Sequence, residues 1–171
     1  EEMLAFAVSF DGPIAIRYPR GSAHQGLREY QAPVEYGRSE IIRKGKKIAV
    51  LGVGSMIPSC MEICKGLKDD GYDPTFVNAR FVKPLDVDLL DELAKDHSLF
   101  VTVEENVKSG GYGEHVSAYM EACHPEIRVL SAAVWDRFVP QGNVESLRSR
   151  IGLGVEDIRQ AIEDSEELRE Q

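Results

Sequence analysis

The chain has 171 residues, 43% of them hydrophobic, which suffices for one well-formed core and is short for two. A formal charge of −9 and a pI near 5.0 exclude a surface built for nucleic acid, since neutralising phosphates takes clustered Lys and Arg. No run approaches the roughly 18 apolar residues of a membrane span and no basic-then-apolar leader is visible, so no membrane partner is expected and the cytoplasm is the expected compartment.

In chain order, residues 3–10 read as the tail of an apolar helix that Asp11 and Gly12 stop. Residues 13–18 read as a short strand ended by Pro19. From 22 to 34 the composition turns polar, with Gly26 and Pro33 and no surviving period, which marks a linker and a domain boundary. Residues 36–43 and 47–52 then read as the two strands of a hairpin turning at Lys44, Gly45 and Lys46. Ile57, Cys60, Met61, Cys64 and Leu67 recur on one helical face, with Ser55 placed as N-cap and Gly71 as stop. Residues 75–78 form the next strand. Asp86 is placed to cap a helix bearing Leu89, Leu90, Leu93 and Ala94, and residues 99–103 form a strand without alternation, the mark of a sheet covered on both faces. Val116, Tyr119, Met120 and Cys123 mark another helix, residues 127–134 a strand, and Ile158, Ala161, Ile162 and Leu168 a last amphipathic helix before an acidic tail at 163–170. These alternating units define an α/β fold: a mostly parallel sheet of about five strands, one antiparallel edge strand at 36–43, and helices on both faces.

The chemistry-bearing residues are sparse. Cys60, Cys64 and Cys123 make no Cys-x-x-Cys pair and read as free thiols in a reducing compartment. His24, His97, His115 and His124 stand at no metal-ligand spacing, and no metal ligand is assigned. Gly52, Val53 and Gly54 begin a dinucleotide fingerprint that fails at its third position, where Ile57 stands; a tight turn from strand to helix accounts for the glycines. Glu104 and Glu105 end a strand just before Gly110, Gly111, Tyr112 and Gly113. As neighbours on a strand they point apart, so anchoring the glycine turn through backbone N–H groups is favoured over acid–base work. Arg80, which ends a strand ahead of Pro84, reads as the partner of a buried ion pair or as a ligand contact. Arg17 and Arg20 bracket Tyr18 and Pro19 at a strand end, and arginine offers the planar, two-pronged match to phosphate that lysine lacks. An ion pair across a domain boundary is the competing use. No catalytic or cofactor-binding residue is assigned.

Three blocks carry a resemblance: Arg17-Tyr18-Pro19-Arg20-Gly21, Arg80-Phe81-Val82-Lys83-Pro84-Leu85-Asp86, and Val101-Thr102-Val103-Glu104-Glu105-Asn106 with its following glycines. In this order and spacing the chain resembles the C-terminal part of the 1-deoxy-D-xylulose-5-phosphate synthases, thiamine-diphosphate enzymes of the transketolase group. One departure stands out: Trp135 occupies the position before Asp136 where the family usually has Pro. The resemblance implies a transketolase C-terminal-like domain over 35–171, a linker at 22–34, and at 1–21 the tail of a preceding pyrimidine-binding domain. It implies a transferase that condenses pyruvate with glyceraldehyde 3-phosphate, releasing CO₂, as a homodimer using thiamine diphosphate and Mg²⁺ held outside this chain. Of its site residues, the one holding the acceptor phosphate carries over to Arg20 and, more weakly, to Arg17. The chain alone is then expected to be inactive, supplying cleft wall and dimer contacts, and its first residues look like the middle of a longer pattern that could carry targeting upstream. The alternatives are the C-terminal domain of a 2-oxo-acid dehydrogenase β subunit and a purely structural, dimerising module.

Overall fold

The computed structural model describes residues 2–18, 26–27, 29–30 and 32–165, so Arg20, most of the expected linker, Leu168 and the acidic tail beyond Ser165 lie outside the described residues. A five-stranded sheet runs in the order β1-β3-β2-β4-β5, from β1 (Glu40–Arg43), β2 (Lys47–Gly52), β3 (Thr75–Asn78), β4 (His97–Val107) and β5 (Arg128–Val134). The pairs β2/β3, β2/β4 and β4/β5 are parallel and β1/β3 is antiparallel. The expected class, a mostly parallel sheet with one antiparallel edge strand, is what the chain adopts.

The strands read as unalternating because helices cover both faces. On one face α2 (Ile57–Asp69) and α6 (Val155–Glu163) bury Cys60, Ile63, Leu67, Ile158 and Ile162 against Ile48, Val50, Leu99 and Val101. On the other, α3 (Val87–Leu93) and α4 (Tyr112–Cys123) bury Leu90, Leu93, Val116 and Met120 against Ala49, Leu51 and Phe100. Asp86 caps α3 as expected, its Oδ1 accepting from the Leu89 N–H at 3.3 Å. Ionic ties hold the edges: Arg159 on α6 pairs with Asp70 just past α2, and Arg38 with Asp86 at 2.9 Å.

The expected hairpin does not form. Strand β1 lies beside β3, not β2. Gly45 is pressed so close to the Asp73–Pro74 backbone that a Cβ there would overlap the Asp73 carbonyl, and its N–H donates to Thr75 Oγ1 at 2.8 Å. Lys46 N–H donates to Asp73 O at 2.6 Å and the Arg43 guanidinium to Pro74 O at 2.6 Å. Local turn chemistry was overridden by the need of β2, the most apolar strand, to sit mid-sheet with parallel neighbours on both sides.

Two N-terminal expectations divide. Helix α1 (Glu2–Ser9) forms, with no residue fully buried; Phe6 packs on Phe81 and Phe10 on Tyr36, with ring centroids 5.7 and 5.0 Å apart. Residues 13–18 form no strand, because no strand among the described residues pairs with them to take up their backbone groups. Ser55 does not cap α2: a short 3₁₀ turn over Gly54–Met56 intervenes, entered through Gly54 at φ 53°, and turns the Ser55 side chain toward β4. A further helix, α5 (Val144–Arg150), was not anticipated.

Candidate functional site

In an open parallel sheet, ligands gather beyond the strand C-termini where successive crossovers leave in opposite directions. Here that point lies between β2 and β4: the chain leaves β2 through α2 for β3 on one side, then returns through α3 to β4 on the other. The loops after β2 and β4 carry Ser55, Glu104 and Glu105.

Strand alternation sends the two carboxylates to different tasks. Glu104 is 2% exposed; its Oε2 accepts from Tyr112 N–H at 3.0 Å and its Oε1 from Gly113 N–H at 2.8 Å. These are unpaired donors of the first turn of α4, so a negative group there also meets the positive end of the helix dipole. The glycines are required by this closeness. A Cβ on Gly111 would stand 2.6 Å from Glu104 Oε1, and one on Gly113 would overlap the Ser131 and Thr102 hydroxyls. The expected anchoring role of Glu104 is therefore what the geometry shows.

Glu105 faces the crevice instead. Arg148 of α5 grips its carboxylate with Nε and Nη2, both at 3.1 Å, and Ser55 Oγ donates to Oε2 at 2.8 Å. Partial burial works against ionisation of Glu105, but the Arg148 and Ser55 hydrogen bonds and the charges of Arg148 and Arg17 outweigh it and hold the carboxyl below its ordinary range. Arg17, exposed, donates from Nη2 to the Glu105 backbone carbonyl at 3.4 Å.

Of the sequence-predicted site residues, then, the structure brings Arg17 to the crevice, while Arg20 lies outside the described residues. Arg80 takes the ion-pair role: it meets Glu40 at 2.8 Å, both side chains nearly buried, and donates to the carbonyls of Ala32 and Pro33 at 2.8 and 3.1 Å. Arg148 was missed. The signal was present in Asn143, whose Oδ1 accepts from the Glu145 and Ser146 N–H groups as an N-cap, and in the basic last turn of α5. Cys60 and Cys64 are buried, but Cys123 is exposed at the end of α4.

Among the described residues no three carboxylate, His or Cys groups stand together as a metal site. A cleft of about 480 Å³ between α1 and residues 32–34 is lined by Glu2, Ala5, Phe6, Ser9, Ala32, Pro33 and Val34, with no cation to receive a diphosphate. No described helix is long and apolar enough to cross a membrane.

The doubly wound sheet fits a known class of α/β domain: residues 37–158 match the family described as Transketolase, C-terminal domain. The chain belongs to that family. Among curated relatives it is 42% identical over 159 residues to the 1-deoxy-D-xylulose-5-phosphate synthase of Lachnoclostridium phytofermentans, a match covering 92% of this chain and 25% of the relative. It is 39% identical over 162 residues to the synthase of Dictyoglomus thermophilum, covering 94% and 26%. The chain thus spans about a quarter of the length of the curated relatives it matches. Among solved structures, a split-gene transketolase described as an inactive beta4 tetramer superposes with a TM-score of 0.86 at 27% identity, over 98% of this chain and 54% of that one. Transketolase from Campylobacter jejuni shares the fold, with a TM-score of 0.53 at 17% identity over 75% of this chain and 19% of its own.

Proposed function

We propose that this chain is the C-terminal part of a 1-deoxy-D-xylulose-5-phosphate synthase, a transferase that condenses pyruvate with glyceraldehyde 3-phosphate and releases CO₂. The observation that carries the reading is the 42% identity to a synthase of that name across nearly the whole chain. The enzyme is a cytoplasmic homodimer that depends on thiamine diphosphate and Mg²⁺, which supply the decarboxylation chemistry from domains preceding residue 35. Residues 1–21 close the preceding domain, 22–34 link, and 35–171 form the C-terminal domain. Arg20, and more weakly Arg17, holds the acceptor phosphate. By itself the chain is inactive and supplies cleft wall and subunit contacts, a view supported by the occupied switch-point crevice and by the description of its 27%-identical structural neighbour as inactive.

The test is product formation by the complete enzyme from pyruvate and glyceraldehyde 3-phosphate, compared with Arg20→Ala. Loss of one charged phosphate contact should raise the KM for glyceraldehyde 3-phosphate by roughly 10-fold or more while the KM for pyruvate holds. A wild-type enzyme that makes no product would remove the assignment and leave the dehydrogenase β subunit in its place.

A further inference from the structure

The geometry points to residues 78–86, the end of β3 and the loop that follows it, as an internal docking seat. The seat takes the segment 32–40 that enters the sheet and, through Phe81, helix α1. It stands on this chain's own contacts and does not depend on the reaction proposed above.

The two segments meet almost residue by residue. Arg80 Nη1 donates to Ala32 O and Pro33 O at 2.8 and 3.1 Å, and its Nη2 meets Glu40 Oε2 at 2.8 Å. Glu40 returns the contact: its Oε1 accepts from the Ala32 N–H at 3.1 Å and its Oε2 from Asn78 Nδ2 at 3.3 Å. Further along, Tyr36 stands edge-on to Phe81 with ring centroids 5.9 Å apart. Gly37, at φ 72°, passes so close to Pro84 that a Cβ would lie 2.9 Å from the proline Cγ. Asp86 completes the row, Oδ1 accepting from Arg38 at 2.9 Å and Oδ2 from the Ser39 N–H at 2.7 Å.

The Arg80 and Glu40 side chains are only 9% and 5% exposed, so neither charge can be left there alone without a large penalty. Each terminal nitrogen of Arg80 and each oxygen of Glu40 and Asp86 is engaged in these contacts, so the block is built to hold chain rather than ligand. Phe81 extends the seat to α1, where Phe6 meets it edge-on at 5.7 Å and Phe10 stacks on Tyr36 at 5.0 Å. A helix of eight residues that buries none of them fully does not persist alone in water, and α1 depends on these rings.

The test is amide hydrogen exchange, followed by NMR, on the 171-residue chain as wild type, as Glu40→Met with Arg80→Met, and as Phe81→Leu. Two methionines fill similar space and leave no buried charge. Ala32 then loses its acceptor outright, so the informative amide is Ser39, which bonds to the unaltered Asp86. In the wild type, Ser39 and residues 6–9 of α1 should exchange at least roughly tenfold more slowly than an unstructured peptide. The paired variant should speed Ser39 roughly fivefold, and Phe81→Leu should speed residues 6–9 by a similar factor, with the fully buried Val50 and Val101 unchanged. Wild-type exchange at unstructured rates overturns the seat, as does an unchanged Ser39 in the paired variant or an unchanged α1 in Phe81→Leu. An equal rise at Ser39, Val50 and Val101 overturns it too, because Arg80 would then support the whole domain and not this junction. Should the paired variant fail to fold, Phe81→Leu decides by the same criterion.

Discussion

Glu104→Gln isolates the bond that holds α4 to the end of β4. The native carboxylate uses one oxygen for each of two backbone N–H groups, at 3.0 and 2.8 Å, from a position 2% exposed. Glutamine has the same shape but one acceptor oxygen, so its amide NH₂ must face one of those N–H groups. The cost has three parts. One charge-assisted bond is weakened to a neutral one, about 1 kcal/mol; one buried N–H is left without an acceptor, about 1–3 kcal/mol; and the charge at the helix N-terminus disappears, about 0.5 kcal/mol. Together these give about 3 kcal/mol, or a fall in Tm of roughly 10 °C for a chain of this size. Urea denaturation followed by circular dichroism reads the loss directly. Glu114→Gln is the internal comparison: it removes the same charge from the first turn of the same helix, where the exposed Glu114 carboxylate accepts from the Gly110 N–H, and should cost no more than about 1 kcal/mol. Equal, small losses for the two variants would show that the buried anchor is worth no more than an exposed helix-end charge, and the account of the glycine turn would be wrong.

Thiol chemistry tests the packing of α2. Burial raises Cys60 well above its ordinary value and lifts Cys64 to about 12, whereas Cys123 is exposed. Ellman's reagent at pH 8 should therefore modify one thiol quickly in the native chain and three after urea; two or more fast native thiols would contradict the buried face of α2. Acid titration tests His97, which is buried with Nδ1–H donating to Leu93 O at 2.8 Å and Nε2 meeting the Thr75 hydroxyl at 2.7 Å. Burial lowers its pKa below 6.5 despite the Leu93 contact, so the folded chain binds its proton less readily than the unfolded one. Stability is then full above about 6.5 and falls as the pH drops below it through the folded value. Between pH 7.5 and 5.5 the wild type should lose more stability than His97→Gln, and parallel losses would remove His97 as the cause.

Periodicity made most of the scaffold legible. The apolar face of α2, the unalternating run in β4 and the Asp86 cap each depend on neighbours within a few residues, and each stands as the sequence suggested. Glu104 was readable for the same reason, since its partners Tyr112 and Gly113 lie eight and nine residues away on the next element. What was not legible depends on distant contacts. The partner of β1 is set by β3, more than thirty residues on. Ser55 looks like a cap by local rules, yet its hydroxyl is drawn 50 residues along the chain to Glu105. Arg148 reaches Glu105 across 43 residues, and residues 13–18, read from their composition as a strand, have no strand partner among the described residues.

The two neighbouring glutamates also decide what kind of chemistry this crevice can support. A general acid or base needs an oxygen free to meet a substrate proton and a pKa near the working pH. Glu104 has both oxygens turned inward to backbone N–H groups and no access to solvent. Glu105 is reachable, but its carboxylate already accepts three hydrogen bonds and is held below the ordinary range, so near neutral pH it has no proton to give and is a weak acceptor of one. Adjacent carboxylates at a switch point would by themselves suggest a catalytic pair. Their hydrogen bonds show instead that one builds the turn into α4 and the other gathers three chain segments.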